Sequence, residues 1–229
     1  IGKGKELYQL VLAQTPFYAE SGGQVGDTGK LIFSDAEIEI VDTKKENDLI
    51  IHFAEEIPAN LNGAVQAIVN ASNRKAITVH HSATHLMHAA LRKILGMHVA
   101  QKGSLVNNEH LRFDFSHFTK VEKQVNEKIR ENIPVVIKSM PKNNALALGA
   151  MALFGEKYGD MVRVVIIDPN YSVELCGGCH VGSTGQIGLF KIKSESAIAA
   201  GLRRIEAVCG FAAENFMQLA FEENKNIHA

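Results

Sequence analysis

The sequence of 229 residues lacks tryptophan and has only 3 cysteines. Three cysteines in a chain of this length do not form a disulfide scaffold, so we expect a reducing, cytoplasmic location. The 24 Lys and Arg residues nearly balance 25 Asp and Glu residues, which excludes a protein that grips nucleic acid by overall charge. No apolar run reaches the roughly 18 residues that cross a bilayer. We therefore expect no membrane partner and only local contact with any RNA.

The hydrophobic content of 46% is sufficient for buried cores, and the residue patterns predict an α+β protein. Residues 1–71 alternate short apolar runs with turn signals, which predicts a small β-barrel domain. Residues 72–209 mix helical and strand periods, which predicts an α+β domain with a largely antiparallel sheet and packed helices. Residues 210–229 are predicted to start a C-terminal linker helix. Because the chain opens on Ile1 and ends on a charged helical stretch, we expect a piece of a longer protein.

Local signals set the expected boundaries of helices and strands. The predicted helices run from a cap at Ser72 or Asn73 to Gly96, from a capping box at Thr119 and Glu122 to Pro134, from about 144 to 154, and from about 211 onward. The segment LRFDFSHF alternates as a strand does, with Leu111, Phe113 and Phe115 on the core face. Strands are also expected in MVRVVIID, YSVEL, QIGLFKI and RRIEAV.

Four histidines lie within HHSATHLMHAA, a segment whose apolar spacing predicts a helix. His81 and His85 are four residues apart, so both imidazoles can reach one metal ion, and neutral imidazole is a common zinc ligand. Taken alone, such a pair is more often an ordinary surface or core feature. His80 points elsewhere on the helix and is interpreted as structural. His88 is interpreted either as a hydrogen-bond donor to a metal ligand or as a packed histidine ring.

A second cluster lies in LCGGCHV, residues 175–181, where Cys176 and His180 flank a glycine turn. Two ligands from a helix and two from a distant loop fit the tetrahedral nitrogen and sulfur preference of zinc, which predicts one zinc ion. The predicted ligands are His81, His85, Cys176 and His180. Cys179 leaves two alternatives open, because it could replace Cys176 or His180 as a ligand or pair with Cys176 as a redox dithiol. The redox alternative is disfavoured, since no thioredoxin-like βαβ pattern surrounds it.

A glycine-rich motif, TPFYAESGGQVGDTG, spans residues 15–29. It is not a phosphate loop, because no Gly-Lys-Ser/Thr follows and no helix begins there. One alternative is a plain β-turn between strands, since Gly and Asp are ordinary turn formers. The other is a loop that brings the backbone and the Gln24 amide close to a ligand, facing the zinc across a domain cleft. The substrate contacts predicted in this loop are Glu20, Ser21, Gly22, Gly23 and Asp27.

Six segments, in this order, resemble the editing domain of bacterial alanyl-tRNA synthetase. They are TPFYAESGGQVGDTG, HSATHLMHAAL, LRFDFSHF, GAMALFGEKYGD, CGGCHVGSTGQIG and GLRRIEAVCG, and they are spread over nearly the whole chain. Free-standing alanyl-tRNA editing proteins share the glycine motif and both metal-type pairs, but GAMALFGEKYGD is more similar to the synthetase. The family's ligands fall on His81, His85, Cys176 and His180, and its glutamine on Gln24. Cys179 departs from the family, which most often has threonine there.

The resemblance implies zinc-dependent hydrolysis of the ester that joins serine or glycine to the 3′ end of alanine tRNA. The implied partners are the acceptor end of tRNA(Ala) carrying Ser or Gly and the remaining domains of the synthetase chain. Two mechanisms stay open: zinc activates water or holds the substrate's amino group, or zinc fixes the loop while Gln24 and backbone amides position a water. A zinc-stabilised tRNA-binding module without catalysis and a threonyl-type editing domain remain alternatives.

Local basic residues are the candidates for contact with the acceptor stem. They are Lys102, Arg112, Lys191, Lys193, Arg203 and Arg204. Arg203 is the preferred substrate-binding residue, because GLRRIEA belongs to the segments that carry the resemblance.

Overall fold

A computed structural model describes residues 7–61, 63–96, 99–115, 122–152, 158–199 and 202–227. The chain divides into two compact units, Ile1–Lys75 and Ala76–Ala229. Antiparallel sheets and four helices among the described residues confirm the predicted α+β class. No described helix is long and apolar enough to span a membrane. The assignment of residues 210–229 to a separate linker stays a prediction.

The first unit is built on a five-stranded antiparallel sheet. Its strands are β1 (Tyr8–Val11), β2 (Gly29–Ile32), β3 (Glu37–Glu46), β4 (Leu49–Ala54) and β5 (Gln66–Val69). The strand order is β1-β4-β3-β2-β5, so β1 and β5 form the edges. Along β3 buried and exposed residues alternate, and Ile38 and Ile40 join Phe17 and Leu31 in the core. Among the residues described, no pairing joins the two edge strands, and closure into a barrel stays a prediction.

The second unit combines two antiparallel sheets with helices. Its strands are β6 (Gln101–Val106), β7 (Leu111–Phe115), β8 (Val135–Pro141), β9 (Met161–Ile167), β10 (Ser172–Leu175), β11 (Phe190–Ala199) and β12 (Leu202–Cys209). The helices are α1 (Ala71–Leu95), which begins in the first unit, α2 (Glu122–Arg130), α3 (Lys142–Ala147) and α4 (Gly210–Ile227). The sheet orders are β11-β12-β7-β6 and β10-β9-β8. A 3₁₀ turn, Thr184–Ile187, precedes β11.

The main core of the second unit forms between α1 and the four-stranded sheet. Leu111, Phe113 and Phe115 of β7 are fully buried in it, which confirms the predicted core face of this strand. Leu86 and Leu91 of α1 belong to the same cluster. This packing fixes α1 firmly enough to hold polar side chains at defined positions.

The start of α1 differs from the prediction. The capping residue is Asn70, not Ser72 or Asn73, because the Asn70 Oδ1 atom accepts the Asn73 amide proton at 3.1 Å and its carbonyl accepts the first intrahelical bond from Arg74. Gly96 follows the last helical residue with φ at 110°, as a C-terminal stop requires.

Other predicted boundaries also change. The helix expected over about 144–154 is wrong, because α3 ends at Ala147 and Gly149, with φ at 79°, turns the chain toward a bridge between Met151 and Glu174. The strand expected from QIGLFKI begins only after the 3₁₀ turn, and α2 ends at Arg130, four residues before Pro134. Strand β8 was not predicted. The capping box at Thr119 lies outside the described residues.

Candidate metal centre

Helix α1 carries four histidines into the interior of the second unit. His80 and His88 are each 1% exposed, and His81 and His85 are each 5% exposed. The helix is buried continuously from Val79 to Leu91, so the face that carries the histidines does not lie in water. Because burying a polar group is costly unless it is paired, each imidazole needs a partner.

Two of these imidazoles meet the loop that follows β10. The donor atoms of His81, His85, Cys176 and His180 all lie within 4.8 Å of one another. The Cys176 Sγ atom is 3.4 Å from His81 Nε2 and 3.4 Å from His180 Nε2. The His180 ring lies 4.5 Å from the His81 ring and 4.6 Å from the His85 ring, centroid to centroid. The structure therefore brings together the four residues predicted as ligands.

These donors can hold one metal ion. Tetrahedral zinc, with bonds of about 2.0 to 2.3 Å, sets neighbouring donor atoms roughly 3.3 to 3.8 Å apart. Both distances of 3.4 Å from the Cys176 sulfur fall within that range. Three imidazoles and one thiol are also a donor set that suits zinc. The residues present thus fit such an ion.

The imidazoles of the cluster are held in the form that binds metal. Burial, with help from nearby His85, lowers the pKa of His81 from 6.5 to about 3. Burial also lowers the pKa of His85, and it lowers that of His180 well below the ordinary value. Neutral rings keep a free lone pair on one nitrogen, which is the state a metal ligand needs.

The loop that carries Cys176 is fixed by Arg163 of β9, a residue that the sequence did not single out. The Arg163 Nη1 group donates to the carbonyls of Cys176 at 2.6 Å and Gly178 at 2.9 Å. The Gly178 amide lies 3.4 Å from the Cys176 sulfur and can donate to it. The Arg163 hydrogen bonds and the Gly178 contact hold the Cys176 sulfur toward α1. A charged residue inside the apolar run MVRVVII was the only sequence signal.

Ser82 orients His180, the imidazole of the loop. Its hydroxyl lies 3.1 Å from His180 Nδ1 and accepts the Val181 amide proton at 3.1 Å. Since Nδ1 of His180 is engaged by Ser82, its Nε2 is the nitrogen that faces the cluster. Ser82 is fully buried, and no sequence pattern indicated this contact.

Glu174 lies behind the cluster, at the end of β10. Its carboxylate oxygens are 3.7 Å from His85 Nδ1 and 3.6 Å from His88 Nδ1. Burial alone would raise the pKa of Glu174, but the two facing imidazoles and the Ser172 hydroxyl lower it from 4.5 to about 2. The sequence analysis did not identify this residue.

The remaining histidines and cysteines have other surroundings. His80 Nδ1 bonds to the Asn107 carbonyl at 2.9 Å and its Nε2 accepts the Cys209 amide at 3.1 Å, in agreement with a structural role. Burial lowers the pKa of His80 to about 4. His88 packs its ring 5.1 Å from that of Phe113. Cys179 is half-buried and is not one of the four clustered donors.

The glycine motif of the first unit forms a tight hairpin turn. Ser21 and Gln24 exchange two backbone hydrogen bonds, of 3.1 and 2.9 Å, around Gly22 and Gly23. These glycines have φ values of 58° and 84°, a combination that L-residues rarely adopt and that type I′ turns require. Gly26 packs against β3, where an added Cβ would lie 2.0 Å from the Thr43 carbonyl oxygen.

The side chains of this motif divide into buried and exposed groups. Gln24 and Asp27 are buried, whereas Glu20 and Ser21 are exposed. Asp27 is bound internally, because its carboxylate accepts from both the Arg74 guanidinium and the Tyr18 amide. The catalytic role of Gln24 and the substrate contacts of the loop stay predictions.

Several of the basic candidates are paired with acids. Arg203 pairs with Glu195 at 2.9 Å, and Lys191 pairs with Glu122 at 2.9 Å. Arg204 makes two hydrogen bonds to Asp114, of 2.7 and 2.9 Å. An RNA contact by these residues stays a prediction.

Comparison with known proteins relates both units to tRNA synthetases. The family described as tRNA synthetases class II (A) matches residues 2–74, and the family described as Threonyl and Alanyl tRNA synthetase second additional domain matches residues 162–206. The chain is 58% identical to the alanine–tRNA ligase of Cytophaga hutchinsonii over 224 residues, covering 94% of this chain and 26% of that protein. It is 51% identical to the alanine–tRNA ligase of Salinibacter ruber over 226 residues, covering 95% of this chain and 23% of that protein.

The matched regions identify the chain as a part of a class II tRNA synthetase. Within that class, the chain belongs to the alanine–tRNA ligase family. It spans about a quarter of the length of these relatives, which are enzymes.

Proposed function

We propose that this chain is a zinc-dependent editing deacylase segment of an alanine–tRNA ligase, which hydrolyses the ester of Ser-tRNA(Ala) and Gly-tRNA(Ala). The cluster of three imidazoles and one thiol carries the proposal, because its donors can hold a metal ion and two of them, Cys176 and His180, lie in the region that matches the synthetase family. The matching family is described as an additional domain of these enzymes, which fits a task beside aminoacylation.

Selection among small amino acids explains the need for such an activity. An activation pocket sized for alanine rejects glycine by only about 1 to 3 kcal/mol, the worth of one methyl group, and rejects serine poorly. A second hydrolytic site on the same enzyme supplies the remaining discrimination.

In this proposal, zinc is held by His81, His85, Cys176 and His180. When bound, it supplies a Lewis acid that polarises an oxygen or lowers the pKa of water. The chain's own residues orient the ester: the hairpin turn at Gly22 and Gly23 offers backbone amides close to the substrate, and Gln24 positions the attacking water.

We propose one role for each of the three sequence ranges. Residues 1–71 supply the glycine motif, residues 72–209 supply the metal ligands, and residues 210–229 begin the connection to the rest of the synthetase. The proposed partners are the acceptor end of tRNA(Ala) carrying Ser or Gly and the remaining domains of the synthetase, in the cytoplasm. Arg203 is the proposed contact to the acceptor stem.

A deacylation assay tests the proposal. The zinc-loaded chain is mixed with Ser-tRNA(Ala), Gly-tRNA(Ala) and Ala-tRNA(Ala), and the first two are expected to be hydrolysed much faster than the third. Cys176→Ala should lose both zinc and activity. Full activity of this variant without zinc would disprove the metal-dependent reaction. Gln24→Ala with normal zinc content and unchanged rates would disprove the proposed role of the amide.

The family description names both threonyl and alanyl synthetases, so a threonyl-type specificity is the second candidate. Adding Ser-tRNA(Thr) to the same assay separates the two. Faster hydrolysis of Ser-tRNA(Thr) than of Ser-tRNA(Ala) would favour the threonyl type. Binding of tRNA(Ala) with no hydrolysis of any charged form would indicate a binding module.

A further inference from the structure

Glu174 is a buried carboxylate that faces two histidines of α1. It is 4% exposed, and one oxygen lies 3.7 Å from His85 Nδ1 while the other lies 3.6 Å from His88 Nδ1. The Ser172 hydroxyl donates to it at 3.3 Å. Among the described residues, these two imidazoles are the basic groups that face it, with no Lys or Arg within salt-bridge distance.

A carboxylate in such a place is costly unless it is matched by donors. The Ser172 hydroxyl donates a hydrogen bond to it. The two facing Nδ1 atoms, at 3.7 and 3.6 Å, lie just beyond hydrogen-bond distance and have no other hydrogen-bond partner in the part of the chain that the structure describes, so the acid is the acceptor that faces both rings. A carboxylate in this position favours the tautomer that carries the proton on Nδ1 of His85. It leaves Nε2 of His85 as the nitrogen available to an ion.

The same choice of nitrogen recurs in the other two imidazoles of the cluster. His81 and His180 both direct Nε2 toward the Cys176 sulfur, at 3.4 Å each. His180 is held in this orientation by Ser82 at Nδ1. His85 matches its neighbours only if its ring is fixed in the same sense, and Glu174, 3.7 Å from its Nδ1, is an acceptor that can fix it.

We propose that Glu174 is a positioning residue for the metal: it fixes the tautomer and the orientation of the His85 ring, and through them sets the metal affinity. His88, which contacts the other carboxylate oxygen, braces the acid from the opposite side. This inference rests on the proposed metal site but does not depend on any reaction with tRNA.

The test is a zinc affinity measurement on the whole chain with Glu174→Gln. Glutamine keeps the shape, but its NH2 group would face one of the two imidazole N–H groups, so the ring loses its defined partner. Outer-shell partners of this kind typically contribute 10- to 100-fold to metal affinity. We expect a loss of that size in competition with a chromophoric chelator. Glu174→Asp, which keeps the charge but shortens the side chain, should lose less.

Asp114→Asn is the matched control. Asp114 is also a carboxylate that is 6% exposed and paired by hydrogen bonds, but its partner is Arg204 and it contacts no clustered donor. We expect the Asp114→Asn protein to bind zinc with the affinity of the wild type. The unfolding free energy of the chelator-treated proteins is measured in parallel, since a merely structural Glu174 would lower it without weakening zinc binding.

Zinc affinity within threefold of the wild type in Glu174→Gln overturns the inference. If that variant does not fold, Glu174→Asp decides, and wild-type affinity there overturns it as well. A wild-type chain that binds no zinc refutes the metal site itself. A chain that binds zinc and shows the affinity loss but hydrolyses no charged tRNA leaves this inference standing and refutes only the proposed reaction.

Discussion

Ser82 is a single hydroxyl that joins helix α1 to the metal loop. It contacts His180 Nδ1 and the Val181 amide, both at 3.1 Å, in a fully buried position. Ser82→Ala would leave both groups without this partner, and a buried unsatisfied group costs about 1 to 3 kcal/mol. We expect a fall of that size in the unfolding free energy of the chelator-treated protein, measured by denaturant titration.

Thr84→Val is the control for this prediction. The Thr84 hydroxyl donates to the His80 carbonyl at 2.9 Å, which is an acceptor that the helix already uses. Removing it leaves no buried donor unpaired, so the loss of stability should be much smaller. Equal losses in the two variants would contradict a special role of Ser82.

His52 is a neutral histidine in the first unit that should make stability depend on pH. It lies between the Leu10 carbonyl, 3.0 Å from Nδ1, and the Thr15 hydroxyl, 2.8 Å from Nε2, and burial lowers its pKa below 6.5. The unfolded state therefore binds a proton more readily, and the stabilising contribution is present above pH 6.5 and is lost as the pH falls below it.

The measurement for His52 compares the wild type with His52→Gln between pH 8 and 5. The difference in unfolding free energy between the two proteins should shrink on acidification. Differences that stay constant across this range would show that the ring does not titrate as expected.

At the scale of elements, the start of α1 shows what sequence can and cannot decide. The helical period and the stop at Gly96 were predicted from the sequence. Asn70, Ser72 and Asn73 are all capping residues within four positions, so composition alone could not select among them. The choice depends on β5, because the Asn70 amide donates to the Thr28 carbonyl at 2.9 Å as the strand ends.

Asn70→Ala tests this assignment. The change removes the side chain that caps the Asn73 amide, and such a loss typically costs about 1 kcal/mol. Asn70→Asp keeps an acceptor oxygen next to the positive end of the helix and should retain the stability. Thermal unfolding of both variants gives the comparison. A harmless Asn70→Ala together with a harmful Ser72→Ala would restore the original prediction.

Other elements depended on contacts that no local pattern contains. The apolar run after Asn144 has high helical propensity, but Gly149 and the bridge from Met151 to Glu174 end the helix early. Strand β8 is an edge strand with mostly exposed residues, so it lacks the alternation that reveals a half-buried strand.

The candidate site, too, was predictable from the sequence only in part. Its donors were predictable because each pair is four residues apart in the sequence. Ser82 and Arg163 were not, because their roles arise from contacts with a distant loop: Ser82 and His180 are 98 positions apart.

At the scale of the whole molecule, the α+β class follows from the change of period along the chain, whereas barrel closure would need β1 and β5 to pair, which periodicity does not encode. The metal donors come from segments 95 residues apart, as for His81 and Cys176. An unfolded chain cannot hold them together, so an ion that binds them must favour the folded state.

This linkage gives a prediction for metal removal. A ligand that binds only the folded state stabilises it by about 2.7 kcal/mol at a free concentration 100 times its Kd, and each further tenfold adds about 1.4 kcal/mol. We expect the unfolding free energy to rise by that increment with each tenfold step in free zinc and to fall when a chelator is added. In Cys176→Ala the same titration should show a much smaller rise, because the sulfur that lies 3.4 Å from two of the imidazoles is gone. A wild-type stability that does not change with zinc would mean that the four donors do not form a site coupled to folding.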